Sequence, residues 1–494
     1  MRRERKSTVT VLPTSCSRAY LAYHHAVPRK GSPALGLWRL GFLVSLLLLA
    51  LGAAGVRAAG EDGTLNEAAI SETLLPNGLR LVVKEAHATD LAAIQVWIRA
   101  GGYLESEANG GIAHVIEHLV FKGSDARSGT IDSEVEPLGG LVDATTEKDW
   151  THFACTLNGR YAERVLTAIG GTLKAPRFTE ADLAAEKPLM LTELAGIPLS
   201  PEALLSRSLF RLAYQKHPYA HDVRGARDFV ENVSLASVKA FYQQHYVPAN
   251  MVVVVVGDVD RASIERVTRQ VFGNWPAPGA ASKPGAATKP AGSKLPPDEV
   301  PCAKSARELL PVLFTGSAVG IAYPAPSVRE EPDTHAMDLI LTLLENPEFG
   351  RITRILKGQY PFWATYETRR QPGLFTLIVQ TGKDDPEPVE ALLRKEMDFL
   401  ANRPISPQEL ALAKSALRGS YALDNESYSR QAGTLGYYAA IDKWQFASSY
   451  LEKIDAITVD QVQETARKYL DSEHSVTVLQ KPRNAPPARP NRSA

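Results

Sequence analysis

The sequence predicts an α+β protein built from two comparable units joined by a linker, and three observations predict it. The chain has 494 residues, more than one hydrophobic core ordinarily supports. Alternating, β-branched runs interleave with helix-period runs on both sides of one Pro-rich stretch. That stretch, residues 276–299 (PAPGAASKPGAATKPAGSKLPPDE), is dense in Pro, Ala, Gly and Lys and has no apolar period, which is linker composition. The expected boundaries are a signal peptide over 1–58, a first domain over 66–275, the flexible linker over 276–300, a second domain over 301–482 and a disordered tail over 483–494.

In chain order, a basic start leads into Phe42–Leu51 (FLVSLLLLAL) and a small-residue exit ending at Ala58. This pattern describes a secretory signal peptide, and the apolar run is short for a spanning helix, which needs about 20 residues. Export to the periplasm is therefore expected, with retention at the inner membrane by an uncleaved signal as the alternative. The long basic stretch also admits a start codon downstream of Met1. The turn Pro76-Asn77-Gly78 opens a strand at Leu79–Val83, and Ala93–Ile98 alternates as a second. Two glycine pairs, Gly101-Gly102 and Gly110-Gly111, precede the helical run IAHVIEHLVF. Residues 161–175 and 180–196 read as helices, the second with Thr179 as its N-cap. Met251–Val256 (MVVVVV) reads as a buried strand stopped by Gly257-Asp258. Beyond the linker, strands are expected near Leu374–Gln380 and Ser475–Leu479, with helices around 335–345, 387–402, 407–424 and 459–470.

Lys+Arg and Asp+Glu balance at 55 each, but residues 1–58 hold nine of the bases and one acid, Glu4. The remainder has a net charge of −8, which argues against nucleic acid as a partner, since phosphate binding relies on basic surface. Cys16 lies in the signal, so Cys155 and Cys302 remain. Export permits a disulfide, but one pair is no scaffold, and buried thiols are the simpler expectation.

The informative segment is His114-Val115-Ile116-Glu117-His118. Residues four apart share a helix face, so both imidazoles can reach one ion. Glu117 sits beside them and can take a proton from a water at the metal. Zinc suits the pattern, because catalytic zinc sites use three protein ligands and leave a position open. The flanks Ile112, Val115, Ile116, Leu119, Val120 and Phe121 are apolar, so this helix is buried, and buried His and Glu need partners. A third ligand must come from elsewhere. The helix over 180–196 offers Glu186 and Glu193, seven residues apart and nearly on one face; spacing alone leaves both open.

GGIAHVIEHLVFKGS, followed some seventy residues later by that Glu pair, resembles the pitrilysin/insulinase family of zinc peptidases, whose motif is the inverted HxxEH. LPNGLRLVV, GGLVDATTEKDWTHF, HPYAHDVRG and YVPANMVVVVVGDVD are similar to that family in order and spacing, strongly over 70–275 and more loosely over 310–480. The length resembles the short, two-domain subfamily that includes mitochondrial processing peptidase subunits and bacterial relatives. The resemblance implies, for each domain, a mostly antiparallel sheet with helices packed on one side. It implies zinc held by His114, His118 and Glu193, with Glu117 as general base. It gives Glu186 the part of an acid that orients a ligand or its helix. It also places Asp143-Ala144-Thr145 on a strand edge that pairs with an extended peptide, with Asp standing where the family has Asn.

The second domain departs from the family pattern. An Arg and a Tyr that hold the substrate carbonyl are expected there; in GRITRILKGQYPFWATY, Lys357 falls at the Arg position and Trp363 closest to the Tyr. Lys lacks the bidentate fork of Arg, and Trp offers only an N–H. The resemblance therefore implies a heterodimeric chamber with a related chain lacking HxxEH, or alternatively a homodimer. The implied activity is endopeptidase cleavage of unfolded peptides or processing of a precursor. The competing reading is a non-catalytic assembly subunit.

Overall fold

The computed structural model describes residues 65–124, 129–196, 200–275, 296–313 and 316–483. The predicted signal peptide and most of the predicted linker and tail lie outside them. Each half of the molecule is one sheet. The first has six strands: β1 (Ile70–Leu74), β2 (Arg80–Glu85), β3 (Leu91–Ile98), β4 (Leu141–Thr146), β5 (Thr151–Asn158) and β6 (Met251–Gly257), ordered β1-β2-β6-β3-β5-β4. The second has five: β7 (Ala306–Val312), β8 (Ser317–Ala325), β9 (Phe362–Tyr366), β10 (Gly373–Gly382) and β11 (Val476–Pro482), ordered β7-β11-β8-β10-β9. Every pairing is antiparallel except β2 with β6 and β7 with β11.

The longer helices are α1 (Ile112–Val120), α2 (Ala162–Lys174), α3 (Glu180–Gly196), α4 (Pro201–Ala213), α5 (Leu235–His245) and α6 (Arg261–Phe272) in the first half. The second half has α7 (Glu331–Glu345), α8 (Pro386–Asn402), α9 (Pro407–Asp424), α10 (Tyr428–Ile441) and α11 (Val459–Tyr469). Thr179 caps α3 as expected, its Oγ1 accepting from the Asp182 N–H at 3.1 Å. The expected helices and strands are all present, most with an end shifted by a few residues.

Each sheet carries its own helices on one face, as expected. The opposite face is covered by a helix from the other half: α10 lies on β3 and β6, and α4 on β8, β10 and β11. This exchange explains the unbroken apolar run of β6. Val253 and Val255 join the core on the α1 and α2 side, while Val252, Val254 and Val256 join the core that includes Tyr437 and Tyr438 of α10. A strand buried on both faces has no polar position to alternate with.

Polar contacts fasten the halves together. Arg99 at the end of β3 and Arg370 of the second half donate to the carbonyls of Ala439 (2.5 Å) and Ala440 (2.6 Å), covering the C-terminal turn of α10. The β4–β5 turn meets the β9–β10 turn, where Asp149 Oδ2 accepts from the Arg370 N–H at 3.2 Å. The linker expectation needs one correction. Residues 296–300 are not free chain: the Glu299 carboxylate accepts from the N–H groups of Gln215 (2.6 Å), Lys216 (3.0 Å) and His217 (2.7 Å). Asp298 pairs with Arg329 at 2.7 Å, and the Pro296 carbonyl accepts from Gln371 at 2.9 Å. Cys155 and Cys302 are separate, buried thiols, both pushed up to about 12 by burial.

Candidate metal centre

Helix α1 buries every residue except Glu117 and His118, which are half-buried, and His118 faces α3. Its apolar positions lock it against α3, α5 and β4, so its polar side chains are held by a rigid support. From α3, Glu186 and Glu193 come to the same place. His114 Nε2 and His118 Nε2 lie 3.3 Å apart, and Glu193 Oε2 lies 3.4 Å from the first and 3.7 Å from the second. Ligand atoms about 2.0–2.1 Å from a tetrahedral ion stand about 3.3 Å from one another, so the three atoms fit zinc. They form the one three-member group of His, Cys, Asp or Glu suited to a metal among the described residues.

Glu186 stands behind that triangle. His118 Nδ1 lies 3.0 Å from Glu186 Oε2, and a carboxylate can only accept, so Nδ1 carries a proton and Nε2 is the nitrogen left to ligate once its own proton is lost. Lys122 Nζ, 2.5 Å from Glu186 Oε1, fixes the carboxylate in turn. Without metal the electrostatics are those of an ion-pair cluster. Burial pulls the His118 imidazole down, but the Glu186 and Glu193 carboxylates outweigh it and raise it to about 9. Burial pushes Glu193 up, yet the two imidazoles hold it well below the usual carboxylate range. Glu117 Oε2 is buried with no hydrogen-bond partner among the described residues. A buried carboxylate oxygen without a donor is costly.

Asp143, Ala144 and Thr145 lie in β4, the edge strand of its sheet, paired only with β5 and packed beside α1. Lys357 and Trp363 belong to the second half. Lys357 is exposed and ends the short helix Arg351–Leu356 in the left-handed conformation, at φ 50. Trp363 lies on edge strand β9 and packs against the apolar cluster that α4 shares with the second sheet. Neither hydrogen-bonds or ion-pairs with the metal cluster.

Sequence reasoning missed Lys122 and Glu105. The latter is buried, with its carboxyl raised by burial to about 7 and held by two backbone N–H groups of α1. Nothing in LESEANGG separates Glu105 from its exposed neighbour Glu107.

The model of the insulinase family (peptidase family M16) matches residues 80–227, which hold this whole cluster, and that of the peptidase M16 inactive domain matches 232–417. The chain belongs to the M16 family. The beta subunit of mitochondrial-processing peptidase from Blastocladiella emersonii is 23% identical over 421 residues, covering 82% of this chain and 87% of that one. An uncharacterized zinc protease of Mycobacterium leprae is 24% identical over 431 residues, covering 86% and 95%. Among solved structures, a protease from Helicobacter pylori superposes with a TM-score of 0.75 at 23% identity, over 84% of this chain and 99% of that one. An M16 inactive-domain protein from Pseudomonas fluorescens gives 0.73 at 22% identity, over 84% and 98%. Those likenesses carry the two-domain M16 fold.

Proposed function

We propose that this chain is a zinc-dependent endopeptidase that cleaves unfolded peptides or processes a precursor. The observation that carries the reading is the convergence of His114 Nε2, His118 Nε2 and Glu193 Oε2 beside the partnerless, buried oxygen of Glu117. Zinc held there supplies Lewis acidity and brings the pKa of a water towards neutrality. Glu117 takes the proton of the attacking water and delivers it to the departing amine. Glu186 keeps His118 in the tautomer that ligates. The outer strand β4, with Asp143, Ala144 and Thr145, aligns an extended peptide as an added strand, which selects unfolded substrates.

The chamber is completed by a related chain lacking HxxEH. Two considerations support this: relatives named as beta subunits, and the Lys357 and Trp363 departures in the second half. A homodimer is the alternative. Residues 1–58 support export to the periplasm. A non-catalytic assembly role is disfavoured because a scaffold has no physical need of a three-ligand cluster with a base beside it.

The test is cleavage of a mixed pool of unstructured peptides by the purified chain, with and without its candidate partner, beside Glu117→Gln. Zinc content is measured in every sample. Cleavage by the wild type and none by the zinc-loaded variant is the expected result. Zinc-loaded wild type that stays silent with every partner would retire the peptidase reading in favour of the assembly role.

A further inference from the structure

The helix that carries His114 and His118 begins where no ordinary cap fits. Its N-cap is Gly111, in the left-handed conformation at φ 102, and a Cβ there would lie 2.5 Å from Gly225 Cα. Ser, Thr, Asp and Asn, the usual suppliers of a capping oxygen, are therefore excluded at that position. The cap comes from Glu105, six residues upstream. Its Oε2 accepts from the Gly111 N–H at 2.8 Å and its Oε1 from the Ala113 N–H at 2.9 Å. Glu105 is 4% exposed, and Ala113 immediately precedes His114.

Glu105 is itself anchored. Just before it, the N–H groups of Gly102 and Tyr103 donate to the carbonyls of Glu147 (3.1 Å) and Lys148 (2.7 Å) in the β4–β5 turn. Lys148 Nζ donates to the carbonyls of Tyr219 (2.7 Å) and His221 (2.9 Å), in the segment that leads to Gly225. The next residue, Asp149, accepts from the Arg370 N–H of the second half. One turn thus touches the segment that leads into the capping Glu105, the loop packed on the N-cap Gly111, and the other half of the molecule.

We propose that Glu105 is a positioning residue of the metal centre: its carboxylate fixes the first turn of α1 in the register that aims His114 and His118 at the ion. The proposal rests on the zinc reading above. A carboxylate serves two N–H groups at once, whereas an amide has one accepting oxygen and sets its NH2 against the second N–H. Negative charge at a helix N-terminus is also favourable, so at a pH where Glu105 is ionised the neutral variant loses both terms.

The test compares full-length wild type with Glu105→Gln and Glu105→Ala. The readouts are zinc affinity by chelator competition, the visible spectrum of the cobalt-loaded protein, and the thermal midpoint without metal. Zinc affinity is expected to fall about tenfold or more in both variants, the range for groups that orient metal ligands, and the cobalt bands to shift. If Glu105→Ala does not fold, Glu105→Gln carries the comparison. Wild-type zinc affinity and cobalt spectrum in a folded variant, with only the midpoint lowered, would overturn the proposal and leave Glu105 an ordinary structural cap. A wild-type chain that takes up no zinc overturns the metal reading as well.

Discussion

In the first half the helix that follows β3 carries His114, Glu117 and His118; in the second the helix that follows β8 carries His335, Asp338 and Leu339 at the same spacing. The correspondence extends through the scaffold. The order β2-β6-β3-β5-β4 repeats as β7-β11-β8-β10-β9, with the parallel pair in the same place. Helix α1 packs on α3, α5 and β4, and α7 packs on α9, α11 and β9. What differs is the facing helix. Where α3 turns Leu183, Glu186 and Met190 inward, α9 turns Leu410, Ala413 and Leu417 inward. With Leu410, Ala413 and Leu417 opposite and Leu339 fully buried, the second half closes into an apolar core at this place. His335 has its Nδ1 2.6 Å from the Glu331 carbonyl and stacks on Phe446, while Asp338 accepts from the Tyr450 hydroxyl at 2.7 Å. The same architecture presents a three-ligand cluster or closes into a core according to a few side chains on two facing helices.

Substituting the matched acids should break this symmetry most sharply. Glu117→Gln is expected to lower peptide turnover by about 10²–10⁴-fold, the usual worth of a general base, with zinc retained. Asp338→Ala should leave zinc content and turnover alone and cost about 1–3 kcal/mol in denaturant unfolding, because the Tyr450 hydroxyl loses its acceptor in a buried site. Equal losses of turnover in the two variants would show that the second helix shares in the chemistry.

The facing helices give the next largest effect. Glu186→Ala removes the acceptor that holds the His118 tautomer and should weaken zinc by about 10–100-fold, read by chelator competition. The reverse exchange, Ala413→Glu, buries a carboxylate opposite a helix that has Leu339 where a second histidine would be needed, and should lower stability without adding a second zinc ion per chain. A second bound zinc would mean that the scaffold, and not the ligand set, was limiting.

Much of this was legible in the sequence because the deciding signals are local. HVIEH fixes its own helix face, MVVVVV can only be a strand buried on both sides, and a Pro/Ala/Gly-rich stretch separates the halves. The choice of Glu193 over Glu186 needed the family resemblance, since seven-residue spacing puts both on one face; the geometry gives each a separate part, Glu193 at Nε2 and Glu186 at Nδ1. The exchange of α4 and α10 between sheets was not legible, because an apolar helix face does not say which sheet it covers. Glu105 stayed hidden for the same reason: a cap delivered from six residues upstream obeys no spacing rule, and it is required only because Gly225 crowds Gly111, far along the chain.

The smallest effect concerns protons, and it too separates the halves. Burial lowers His335 below its ordinary value, so the matching helix α7 carries no imidazole charge near neutrality. His118, raised to about 9 in the absence of metal, is charged at pH 7 and must give up its proton when zinc binds. Zinc uptake at pH 7 should therefore release about one proton from this group, measurable by calorimetry in two buffers of different ionisation enthalpy, and apparent zinc affinity should rise with pH until about 9. The sign for stability is opposite. A folded pKa above the unfolded value stabilises the metal-free chain fully below about 6.5, and that contribution is lost as pH rises through about 9. The thermal midpoint without zinc should accordingly decline across that window, while the zinc-loaded midpoint should not. Parallel decline in both forms would place the titrating group outside the metal centre.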